Sequence, residues 1–138
     1  MLNRKSSLLL FLAVCFLSLT TFVYAGRGDG IFYNPPQPRL VAPYPEKVDL
    51  SGKDYLEFKW IIIDSYTIRN CEFRLYKGYE MYEKNLILKQ NIDSDTSSFK
   101  VESKVFEEGE VYTWSLKAVS YGGQKSDKSF DSFTVIKK

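Results

Sequence analysis

The sequence predicts an all-β fold, a sandwich of about seven short antiparallel strands packed as two sheets. Two segments, residues 55–63 and 107–119, show the period-two alternation of a strand with one buried face. In the second of them, Trp114, Leu116 and Ala118 alternate with polar side chains. Turn-forming clusters separate the apolar segments, and no stretch of the predicted domain has a convincing helical period. Short strands at regular intervals without helices are typical of a β-sandwich.

The first half of the predicted domain contains three strands. Leu40 to Pro45 forms the first, and its prolines confine it to a sheet edge because proline donates no ladder hydrogen bond. After a turn, residues 55–63 form a strong strand, and a polar loop at 64–70 follows it. The third strand covers residues 71–78, and Cys71 lies on its apolar phase. We therefore expect Cys71 to be a small buried hydrophobe and not a reactive thiol.

The second half contains four strands. The connection at 79–85 follows neither period cleanly, and we expect an irregular segment with a helical turn. Strands are predicted at 86–92, on a sheet edge, and at 98–101, 107–119 and 130–136. Phe130 does not share the phase of Phe133, so we expect a bulge between Ser129 and Ser132.

The first 25 residues have the parts of a secretory signal peptide. Arg4 and Lys5 precede an apolar run, which ends at a small-residue cleavage site with Ala25 last. We therefore expect residues 1–25 to be cleaved and the mature chain to be secreted or periplasmic. Two alternatives are a retained membrane anchor, for which the run is shorter than the roughly 20 residues of a spanning helix, and lipidation at Cys15.

Residues 26–38 are predicted to be a flexible leader, because three glycines and three prolines cannot support a regular strand. Within it, Arg27-Gly28-Asp29 matches the integrin-recognition tripeptide. Adhesion through this tripeptide is one interpretation, and a chance match in a glycine-rich segment is the other. The remaining residues, 39–138, are expected to form one domain with its own core.

Composition narrows the function. The chain has 19 basic residues, and removal of Arg4 and Lys5 leaves 17 against 17 acidic ones, so the mature chain is neutral. This balance favours neither a nucleic-acid partner nor membrane insertion of the mature chain. Only Cys71 follows the signal peptide, so the core must hold without an intrachain disulfide. The sequence has no histidine, the commonest general base and metal ligand.

The predicted domain resembles a fibronectin type III domain of the kind found in bacterial secreted proteins, an immunoglobulin-like sandwich. The residues that carry the resemblance are the prolines around Pro43, Trp60, Phe73 with Leu75, Thr96 to Phe99, and Gly109 through Ala118. The resemblance implies a core around Trp60, Phe73, Tyr112 and Trp114. It also implies that the Tyr112 hydroxyl bonds to backbone at the corner between residues 106 and 109.

No motif indicates catalysis, a cofactor or a metal. The sequence contains no phosphate-binding glycine loop, no cysteine and histidine spacing for a metal and no serine elbow. Glu107, Glu108 and Glu110 could be paired carboxylates for hydrolysis, but a solvated turn explains them equally simply. Asp93 and Asp95 have the spacing of part of a calcium loop that lacks its glycine and its final glutamate.

Four tyrosines in loops or irregular segments are the candidate ligand-binding residues: Tyr66, Tyr79, Tyr82 and Tyr121. Tyrosine offers a rigid amphipathic surface for protein contact or for stacking on sugar rings. We therefore hypothesise a non-enzymatic module for protein–protein or adhesive contact with an extracellular or envelope protein, centred on Tyr66 and Tyr121. The alternatives are a carbohydrate-binding module that uses the loop tyrosines, an ordinary surface with scattered tyrosines and, more remotely, an enzyme.

Overall fold

The computed structural model describes residues 34–44 and 46–138. The predicted signal peptide with Cys15 and the tripeptide at 27–29 lie outside the described residues. The described residues form eight strands: β1 (Arg39–Ala42), β2 (Lys47–Asp49), β3 (Tyr55–Ile61), β4 (Ile68–Lys77), β5 (Leu86–Asp93), β6 (Ser98–Glu102), β7 (Val111–Ser120) and β8 (Ser129–Ile136).

The strands form two sheets that pack into a sandwich. One sheet has the order β1-β3-β6, and the other has the order β2-β8-β7-β4-β5. The long strand β7 lies at the centre of the larger sheet, between β8 and β4. The all-β sandwich predicted from the alternating segments is confirmed.

The predicted count of seven antiparallel strands is wrong at the start of the domain. The single strand expected at 40–45 is replaced by β1, which pairs with β3, and by β2, which pairs with β8 in the other sheet. The chain therefore crosses between the sheets near the buried Pro43. Because β2 lies in parallel with β8, the larger sheet is not wholly antiparallel.

Two local predictions also need correction. The polar loop expected at 64–70 ends earlier, because Ile68 is fully buried and begins β4 by pairing with Ser120. No bulge interrupts the pairing of β7 with β8, which runs in continuous register from Val111 to Leu116. Phe130 needs no bulge, because its side chain is 59% exposed.

Aromatic side chains fill the space between the sheets. The ring of Phe58 lies with its centroid 5.0 Å from that of Phe73 and 4.9 Å from that of Trp114, both in edge-to-face geometry. The four residues predicted for the core are at most 2% exposed: Trp60, Phe73, Tyr112 and Trp114. Cys71 is also buried and free, as its apolar phase predicted, and burial raises the pKa of its thiol to about 11.

Tyr112 holds the corner that leads into β7. Its hydroxyl accepts a hydrogen bond of 2.8 Å from the backbone N–H of Glu107, and its ring meets that of Phe106 edge to face. Gly109 turns the chain with a φ of 76°, a conformation that suits glycine, and its N–H donates to the carbonyl of Val135. The corner thus has the hydrogen bond that the resemblance implies.

Candidate functional site

The four candidate tyrosines are all exposed, but they lie in two separate pairs. Tyr66 and Tyr121 are near the end of β4 where Ile68 pairs with Ser120. Tyr79 and Tyr82 follow the opposite end of β4, in the connection to β5. Since β4 has ten residues, a rise of about 3.3 Å per residue separates the two ends by roughly 30 Å. The four tyrosines therefore do not form one platform.

Tyr66 and Tyr121 come from two loops that are joined by backbone. Tyr66 lies in a 3₁₀ turn, Ser65–Thr67, and the N–H of Tyr121 donates to the carbonyl of Thr67 at 3.4 Å. The side chains of Tyr66 and Tyr121 are 81% and 68% exposed. Ile63, in the same loop as Tyr66, is 51% exposed. We call these three side chains the loop surface.

Both loops of this surface are held by local hydrogen bonds. In the β3–β4 loop, the N–H and the hydroxyl of Thr67 both donate to the carbonyl of Asp64, at 3.0 and 2.9 Å. In the β7–β8 loop, the N–H of Ser120 donates to the carbonyl of Gln124, and the N–H of Gly123 donates back to Ser120. Well-held loops lose little conformational entropy on binding, which favours affinity.

The second tyrosine pair lies in a connection that packs against the larger sheet. Arg74 donates a hydrogen bond of 3.0 Å to the carboxylate of Glu83, and the Thr113 hydroxyl donates to the carbonyl of Gly78. The expected helical turn is present at Glu83–Asn85. Tyr79 and Tyr82 remain 69% and 58% exposed, and the Lys84 amine lies 5.8 Å from the ring centroid of Tyr82.

Sequence reasoning missed Ile63 as a member of the loop surface. The alternation of residues 55–63 assigned it to a strand, whereas β3 ends at Ile61. An isolated apolar residue beside the turn-forming Asp64 and Ser65 was the available signal. It also missed a basic cleft on the outer face of the larger sheet, whose residues are 53 positions apart at the extremes of one ion pair.

The acidic residues at the E107–E110 corner are engaged with cations or backbone. The Lys77 amine lies 2.9 Å from Glu107 and 3.9 Å from Glu110, and Glu108 accepts a hydrogen bond from the backbone of Lys137. All three glutamates are exposed. Within residues 34–44 and 46–138, no three histidine, cysteine or acidic side chains are grouped as a metal site would require.

Three solved structures share this architecture. The chain matches a fibronectin type III domain of human contactin 1 at 13% identity and a TM-score of 0.51, over 66% of this chain and 72% of that one. It matches fibronectin(III)-like modules of Clostridium thermocellum CbhA at 17% identity and a TM-score of 0.51, over 72% and 97%. It matches chicken CNTN1 FN1-FN3 domains at 12% identity and a TM-score of 0.55, over 75% of this chain but only 33% of that longer one.

These likenesses define the class of fold. The described sandwich has the fibronectin type III fold, as the sequence resemblance predicted. Identities this low establish the fold alone, because one fold carries many functions. The sequence matches no protein-family model and no curated protein. Among the described residues, no helix has both the length and the apolar character needed to cross a bilayer.

Proposed function

We propose that this chain is a non-enzymatic binding module that contacts a protein partner through the loop surface of Ile63, Tyr66 and Tyr121. The fibronectin type III fold is often used for protein interaction, and the loop surface presents large apolar side chains on a scaffold held by backbone hydrogen bonds. Exposed aromatic residues on ordered loops are the usual anchors of such contacts.

The observation that carries the proposal is the joining of the two loops. The hydrogen bond from Tyr121 to Thr67 brings together two exposed tyrosines that are 55 positions apart in the sequence. Two aromatic anchors on one small surface favour a specific contact over scattered surface residues. We further propose that residues 1–25 export the chain, so that the partner is an extracellular or envelope protein.

Affinity capture with matched variants tests the loop surface. The wild-type protein, a Tyr66→Ala/Tyr121→Ala variant and a Tyr79→Ala/Tyr82→Ala control are each used to capture proteins from the native envelope fraction, with quantitative mass spectrometry. Loss of two hot-spot tyrosines weakens binding roughly tenfold or more. We expect at least one protein to be captured by wild type and the control but lost with the loop variant. Equal capture by all three proteins would refute the proposal.

The carbohydrate alternative predicts a different pattern. Tyr79 and Tyr82 are exposed and close in sequence, which suits stacking on a sugar ring. A glycan array with the same three proteins separates the two functions. Sugar binding that the Tyr79→Ala/Tyr82→Ala variant alone loses would favour the carbohydrate module, and the absence of binding at millimolar concentrations would remove it.

A further inference from the structure

The outer face of the larger sheet carries a basic cleft of about 80 Å³, distant in function from the loop surface. Six residues line it: Glu72, Arg74, Ser115, Lys117, Lys125 and Lys128. The register of β4 and β7 pairs Glu72 with Lys117 and Arg74 with Ser115. Directly paired residues present their side chains on the same face of a sheet. The remaining two lysines come from the segment between β7 and β8.

Positive charge is concentrated in this cleft. Its lining holds four cations and one carboxylate, a net charge of +3, whereas the whole chain has a net charge of only +2. The Lys125 amine donates a hydrogen bond of 2.7 Å to Glu72, and Arg74 pairs with Glu83 at 3.0 Å. Lys117 and Lys128 form no ion pair within the part of the chain that the structure describes. Two positive charges are thus left uncompensated.

Glu72 remains ionised and keeps Lys125 in place. Partial burial raises the pKa of the Glu72 carboxyl, but the hydrogen bond and the charge of Lys125 outweigh burial, so this pKa lies below its ordinary value. The carboxylate therefore neutralises Lys125 at neutral pH. It does not neutralise Lys117 and Lys128, whose amines remain available to an anion.

The cleft also offers a polar floor and an apolar neighbour. Ser115 is only 2% exposed, and its position on β7 directs its hydroxyl to the outer face. Phe130 pairs with Ser115 across β7 and β8 and is 59% exposed on the same face. The cleft volume exceeds that of one water several times over and has room for a small anionic group.

We propose that this cleft binds a phosphate or sulfate monoester, with its oxyanion between Lys117, Lys128 and Arg74 and its ring over Phe130. A doubly charged oxyanion would balance the two uncompensated lysines. Arginine and lysine donors bind such groups through charge-assisted hydrogen bonds, and a cleft lined by one sign of charge concentrates the field. This site is separate from the loop surface, so either proposal can fail without the other.

Titration calorimetry of the purified protein tests the oxyanion site. Inorganic phosphate and sulfate are titrated at constant ionic strength, with chloride as the reference anion. A Lys117→Gln/Lys128→Gln variant is compared with a Lys47→Gln/Lys53→Gln control, which removes the same charge at exposed positions outside the cleft. We expect saturable binding that weakens roughly tenfold in the cleft variant and stays nearly unchanged in the control. No saturable binding, or equal loss in both variants, would overturn the site.

Phenyl phosphate and phenyl sulfate test the ester and its ring. We expect both esters to bind more tightly than the matching inorganic anion, and Phe130→Ala to abolish that advantage without weakening the inorganic anions. The preferred ester then distinguishes a phosphorylated ligand from a sulfated one. Equal affinity of ester and inorganic anion, unaffected by Phe130→Ala, would show that the cleft takes a free anion and would refute the ester. Amide shifts of Ser115 and Lys117 in nuclear magnetic resonance spectra locate the binding in either case.

Discussion

Tyr112 shows how a single residue can join two structural elements. Its ring is buried at 1% exposure, while its hydroxyl accepts the N–H of Glu107 from the chain that enters β7. The ring therefore contributes to the core, and the hydroxyl fixes the path of the corner. Burial of the ring and the hydrogen bond can be separated by removing only the oxygen.

We expect Tyr112→Phe to lower the free energy of unfolding by about 1 kcal/mol, because it removes one hydrogen bond and keeps the packing. Chemical denaturation measures the change. Tyr121→Phe is the matched control, since its side chain is 68% exposed, and it should leave the midpoint unchanged. If both variants unfold at the wild-type midpoint, the corner hydrogen bond contributes nothing to stability.

At the scale of the element, β5 is the strand with an open edge. Among the described strands it pairs only with β4, and its eight residues include the exposed Ile87 and Lys89. An open edge of this length can pair with another chain, and a charged residue at its centre opposes that pairing. The edge strand predicted at 86–92 is confirmed as β5.

Replacing Lys89 with valine should promote self-association through β5, because it removes the charge and adds a side chain that favours strands. Sedimentation velocity across a range of concentrations measures the dimer fraction. Lys53→Val, in the turn before β3, is the control for the added apolar surface. A dimer fraction equal to that of the control would mean that Lys89 does not protect the edge.

At the scale of the whole molecule, packing alone holds the sandwich. The buried thiol of Cys71 is free, so no disulfide links the two sheets in the described domain. Phe58 from one sheet contacts Phe73 and Trp114 from the other. The indole N–H groups of Trp60 and Trp114 have no hydrogen-bond partner among the described residues, so these side chains stabilise the fold through apolar contact.

We expect Trp114→Ala to cost about 3 to 5 kcal/mol, because it leaves a large cavity between the sheets. A domain of this size is stable by about 5 to 15 kcal/mol in total, so the variant should be partly unfolded near room temperature or slightly above it. Chemical denaturation and tryptophan fluorescence measure the loss. Phe130→Ala, at a position 59% exposed, should change stability by less than about 0.5 kcal/mol. A Trp114→Ala midpoint equal to that of wild type would contradict this core.

The sequence by itself determined the sandwich, the central strand, the core around Trp60 and Trp114 and the corner at Tyr112. These features depend on local alternation and on large apolar side chains, which a single chain displays directly. Only the tertiary structure decided that the first strand divides between the sheets at Pro43, that Phe130 faces solvent and that the loop tyrosines separate into two pairs. Likewise, the basic cleft joins residues of β4, β7 and the following loop. Sheet order and strand register bring such residues together, and neither is encoded in the period of any one segment.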